Sequence, residues 1–184
     1  MTDIEQRPAR SGFVTGIAWT FILLGGFATL IAILQNIMIS VMFPVEEMRQ
    51  AVDRPGAEAM PAFFRFMFDN FRLFFAATLV LSAVSFVAGI GLLRRKNWAR
   101  LTIIVLLAVG ILWNLAGLII PFVIFPSFPP VPANAPAGFD ASFATMAKIM
   151  TGFAVVISIV FAALFAWTIK RLCAVEIRRE FGVE

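Results

Sequence analysis

Residues 73–93 read LFFAATLVLSAVSFVAGIGLL, and the chain turns at once into RRKNWAR over residues 94–100. The first stretch is 21 residues without Asp, Glu, Lys or Arg. A helix needs about 20 apolar residues to cross the roughly 30 Å of hydrocarbon in a bilayer. The second stretch carries Arg94, Arg95, Lys96 and Arg100 and no acid. An uncharged span ending on a short basic turn predicts a transmembrane helix whose end faces the cytoplasm, since Lys and Arg are kept on that side.

The same reading extends outward in both directions. Residues 11–43, 101–139 and 149–169 are also free of Asp, Glu, Lys and Arg. A third span is expected at about 98–120, closed by Pro121 because proline removes a helix hydrogen bond. The segment PFVIFPSFPPVPANAPAGFD (121–140) is too rich in proline for a regular helix and too apolar for a solvated linker. It is expected to pack across the outer face. Asp140 then reads as the N-cap of a fourth span at about 141–172, followed by a short charged helix or a frayed tail.

Toward the N-terminus, PAFFRFMFDNFRLFF (61–75) begins a second helix predicted to run unbroken over 61–93. Residues 44–60 form a polar outer segment. Pro44, Glu46 and Glu47 suit the start of a short amphipathic helix there, and Pro55-Gly56 suits its end. The first span, about 13–43, is longer than the hydrocarbon requires. It is expected to project past the outer leaflet, with Gln35 and Asn36 at the interface. Its apolar run exceeds a signal-peptide core and no small-residue cleavage site follows, so it reads as a retained span.

Composition agrees with this class. The 184 residues are 61% hydrophobic and 14% charged, against about 45–50% and 25% in soluble domains. Ten of the 15 Lys and Arg fall on the N-terminus, the 94–100 turn and the tail from Lys170. The other five (Arg49, Arg54, Arg65, Arg72 and Lys148) share the opposite side with six acids. The predicted fold is all-α: one antiparallel four-helix transmembrane bundle with both termini cytoplasmic and its helices extended on the outer side. The net charge of +4 sets orientation and does not point to nucleic acid.

Function is constrained mainly by what is missing. The chain has no His and a single Cys, Cys173. His-ligated metals, His acid–base chemistry and an intrachain disulfide are therefore excluded. Neither GxxxxGK[ST] nor GxGxxG occurs, so the common phosphate-cradling loops are absent. No catalytic residue, metal or cofactor is expected, and the chain is read as a non-enzyme. The predicted spans also lack a mid-membrane acid, Lys or His, which disfavours ion-coupled transport.

Several residues remain as candidates for contact. Phe64, Phe68 and Phe71, with Met67 and Phe75, would make one apolar face of the second helix. Arg65, Asp69 and Arg72 would make a charged stripe beside it, either a partner interface or a self-satisfied polar face. Lys148 would line an outer vestibule, or else snorkel or pair with Asp69. Asn114 would bond a neighbouring helix or contact a ligand. Arg94, Arg95, Lys96 and Arg100 would hold anionic lipid head groups, at about 1 kcal/mol per charge. Gly12/Gly16, Ala28/Ala32, Ser85/Gly89 and Ala162/Ala166 have helix-packing spacing. Ser82, Ser85, Thr151 and Ser158 are the best pore-lining candidates.

GIGLLRRKNWAR (89–100) also resembles the GLLxxxxWAR-type hairpin of small uncharacterised bacterial membrane proteins with four spans. The resemblance implies antiparallel spans in a bacterial inner membrane and carries no function or site residues. The expected role is that of a non-catalytic membrane component, acting by self-assembly or as an accessory or scaffold subunit beside another membrane protein. The alternative is an oligomeric channel or passive permeation protein.

Overall fold

The computed structural model describes residues 11–42, 62–124 and 139–182. In chain order the helices are α1 (Gly12–Met42), α2 (Ala62–Asp69), α3 (Phe71–Leu93), α4 (Asn97–Ile124), α5 (Phe139–Leu172) and α6 (Val175–Glu180). Four of them contain stretches long and apolar enough to cross a membrane: Gly12–Val41, Phe71–Leu93, Asn97–Ile119 and Lys148–Leu172. The expected outer segment 44–60 and most of the proline-rich segment lie outside the described residues. The 31 residues of α1 extend about 46 Å at 1.5 Å per residue, more than the hydrocarbon alone requires.

Three boundaries differ from the sequence reading. The second helix is not continuous over 61–93, because it breaks at Asn70 (φ −108°, ψ 17°). There the Asn70 side-chain amide and backbone N–H both donate to the Phe66 carbonyl, at 3.0 and 3.1 Å. Such a side chain competes with the helix ladder for backbone partners. The third span does not close at Pro121, since α4 continues to Ile124. Proline's fixed φ is already helical, and close to a helix end its missing N–H forfeits one bond. Asp140 is the second residue of α5 and not its cap.

Packing follows the small residues. The α1 and α3 helices run antiparallel, and a Cβ on Gly25 would lie 2.8 Å from the Phe86 backbone N. On the other side, a Cβ on Gly89 would lie 2.9 Å from the Ile22 backbone N. Glycine at both positions lets the two backbones touch. In the α3–α4 hairpin Gly91 faces Ala99 and Trp98, and between α4 and α5 Gly110 faces the Phe165 ring. By contrast, α1 and α5 meet at one end, where Phe13 and Trp167 stack edge to face at 5.4 Å.

The buried core is confined to the basic end. Val14, Ala18, Ala88, Leu92, Ala99, Ile103, Leu107, Leu172, Ile177 and Phe181 form it. Elsewhere only Ala32 and Ile39 are buried among the described apolar side chains. The buried share of each span falls from 17% in α1 to 6% in α5. The helices are thus gathered at one end and largely uncovered at the other.

Candidate functional site

The gathered end is organised by the turn between α3 and α4. The Lys96 N–H donates to the Gly91 carbonyl at 2.9 Å and the Arg95 N–H to the Leu92 carbonyl at 3.0 Å. This is the double bond pattern of a Schellman cap, whose left-handed position is usually glycine. Here it is Arg95, at φ 55°, a conformation that costs a side-chain-bearing residue about 1–2 kcal/mol.

Arg95 spends that conformation on contacts with two other elements. Its Nε lies 3.3 Å from Glu180 Oε2 at the end of α6. Its Nη2 donates to the Ser11 carbonyl at 3.1 Å and to Thr15 Oγ1 at 3.3 Å. Glu180 Oε1 in turn accepts the Ser11 N–H at 3.1 Å. The first N–H groups of a helix lack internal partners, so a carboxylate from α6 serves the start of α1. The paired side chains are 15% and 8% exposed.

Arg100 completes the cluster from the first turn of α4. It is 6% exposed, and its guanidinium lies 5.7 Å from the centre of the Phe181 ring. Arg95 Nη1, Arg100 Nε and Nη1, Asn97 Oδ1 and Glu180 Oε2 are buried without a hydrogen-bond partner among the described residues. Nearby, Arg171 lies over Phe13 and Trp167 at 5.7 and 5.8 Å.

The four cations of the turn, expected to hold lipid head groups, divide into two pairs. Arg94 and Lys96 are exposed, whereas Arg95 and Arg100 turn inward. The left-handed turn and the return of α6 beneath the helices account for the division. Ser11, Thr15, Glu180 and Phe181 were not singled out from sequence. The available signal was the i, i+4 spacing of Ile177 and Phe181, an apolar edge on an otherwise charged tail.

The remaining candidates are scattered. Asn114 donates to the Gly110 carbonyl at 2.8 Å, and its Oδ1 accepts from Ser158 Oγ on α5 at 3.4 Å. Asn36 donates to the Ala32 carbonyl at 2.8 Å and across to the Phe75 carbonyl at 3.2 Å. Gln35 is half-buried and Lys148 exposed, and no ion pair joins Lys148 to Asp69 among the described residues. Ser82 and Ser85 donate to the Leu79 and Leu81 carbonyls of their own helix, and Thr151 is half-buried.

Arg65, Asp69 and Arg72 are exposed, with no ion pair among them. The stripe does not pair with itself, because an exposed helical pair gains only a few tenths of a kcal/mol. Phe71 is half-buried and stacks on Phe75 at 4.7 Å. Among the described side chains of this region, the aromatics Phe66 and Phe74 are exposed. Phe64 and Phe68 fall on α2, and their side chains lie outside the described residues. No family model matches the chain, and no curated protein or solved structure matches it either.

Proposed function

We propose that this chain is a non-catalytic membrane component that works by assembling with further helices, from its own copies or from another membrane protein. In this reading the four spans form an antiparallel bundle with both termini and the Arg95–Glu180 cluster on the cytoplasmic side of a bacterial inner membrane. The basic turn supports the orientation. One observation carries the functional reading. The polar groups within the spans turn onto partners in the same chain, as Asn36, Asn114, Ser82, Ser85 and Ser158 do, while the apolar faces stay uncovered.

Gly117 on α4 and Gly152 on α5 sharpen it. Among the described residues neither has an atom of another helix within 4 Å of an added Cβ, so close-approach positions are left vacant in the open half. Small residues in a span allow another helix to come near. Exposed Leu112, Trp113, Ile149 and Phe153 surround them.

Native mass spectrometry after gentle release from the host membrane tests the proposal. A defined oligomer or a complex with a second membrane protein is expected. Monomers carrying only lipid would overturn it. Flux in reconstituted liposomes that is lost on Lys148→Ala would replace it with the permeation reading.

A further inference from the structure

Arginine keeps its proton inside a protein, so a buried guanidinium must find acceptors for its N–H groups. Arg100 is 6% exposed, yet its Nε and Nη1 meet none among the described residues. Phe181 covers the guanidinium at 5.7 Å, a contact that serves the cation's charge and leaves its N–H hydrogens unused. Arg95 Nη1 is likewise unpaired, while the rest of that side chain is committed to Glu180, Ser11 and Thr15. Glu180 ends α6 and Phe181 caps it, so the end of that helix meets both arginines. Among the described residues the cluster sets two guanidinium charges against one carboxylate, and exposed Arg94 and Lys96 flank it.

We propose that this cluster is an oxyanion site that takes a phosphate group, with Arg100 as its main donor and Arg95 Nη1 as the second. A phosphate offers several strong acceptor oxygens and suits guanidinium donors. Its negative charge balances the surplus positive one. The same chemistry is presented by a phospholipid head group at the basic face and by free phosphate. The site goes beyond the assembly reading and does not depend on it.

The test uses the full chain in dodecyl maltoside, a detergent without phosphorus, at fixed ionic strength. One series adds inorganic phosphate and another adds dihexanoyl phosphatidylglycerol, with neutral dihexanoyl glycerol as control. Thermal unfolding and the Arg100 Nε–H resonance, assigned through Arg100→Lys, are followed together. A saturable rise in Tm with a shifted resonance in the phosphate series identifies a free oxyanion. The same response in the lipid series alone identifies a head group, and either supports the site. Arg100→Gln is expected to weaken the apparent affinity about 10- to 100-fold. An Arg94→Gln/Lys96→Gln double variant is expected to stay within about threefold. An Arg100 Nε–H resonance unmoved by both probes overturns the proposal even where Arg100→Gln fails to fold. So does an equal response from Arg100→Gln and the native chain, which marks general screening.

Discussion

The two ends of the molecule are built on opposite principles. At the basic end three elements distant in sequence converge on Arg95 and Glu180, and the apolar core is concentrated around them. At the far end the helices carry Leu, Ile, Val and Phe outward, and among the described residues they are joined there by the hydrogen bonds of Asn36 and Asn114 beside buried Ala32 and Ile39. One end is finished by the chain itself, whereas the other presents surface for lipid or for partners. In a bilayer, apolar side chains gain little by leaving lipid for protein. The finished end is therefore made by charge, capping and close glycine contacts.

The largest effect should come from removing the clamp. Arg95→Ala is expected to destabilise the fold by about 3–5 kcal/mol, since it leaves a buried carboxylate without its cation. Unfolding in mixed micelles measures this. Arg95→Gly should cost about 1 kcal/mol less, because glycine relieves the left-handed backbone while losing the same ion pair. Equal losses for the two variants would show that the backbone conformation carries no strain.

Next in size is Gly89→Leu, which drives a side chain into the Ile22 backbone. Overpacking of this kind costs about 1–3 kcal/mol, and loss of α1–α3 cross-linking between introduced cysteines would report it. Asn114→Leu removes one contact of the open half and should cost about 0.6 kcal/mol. A loss comparable to that of Arg95→Ala would mean the open half is as tightly made as the base.

The smallest effect on the single chain is expected from Gly117→Leu and Gly152→Leu. Both face open space, so each should shift subunit stability by no more than about 0.5 kcal/mol. Size by native mass spectrometry should nonetheless fall if these faces meet another helix. Unchanged size for both would leave that surface to lipid.

The sequence made the four apolar helices legible because charge-free runs of this length have few other solutions. The basic turn was equally plain, yet the directions of its side chains were not. Nothing in RRKNWAR says that Arg95 would take the place of a capping glycine, since that depends on what Glu180 supplies from the tail. The break at Asn70 was hidden for a similar reason: a single amide among aromatics reads as helix until its own bond to the Phe66 carbonyl is seen. Local pattern thus gave the rods, while the clamp depended on partners 80 and 169 residues away from Thr15 and Ser11.

That separation has a consequence for how the protein is made. The Ser11–Glu180 contact joins residues 169 apart, so during synthesis all four apolar helices leave the ribosome before it can form. Until then the Arg95 side chain waits without its counter-ion beside three unfinished helix ends. A nascent chain halted before Glu180 would leave that charge without its carboxylate partner. The last turn of α6 therefore closes the start of α1 only after all four apolar helices have been synthesised.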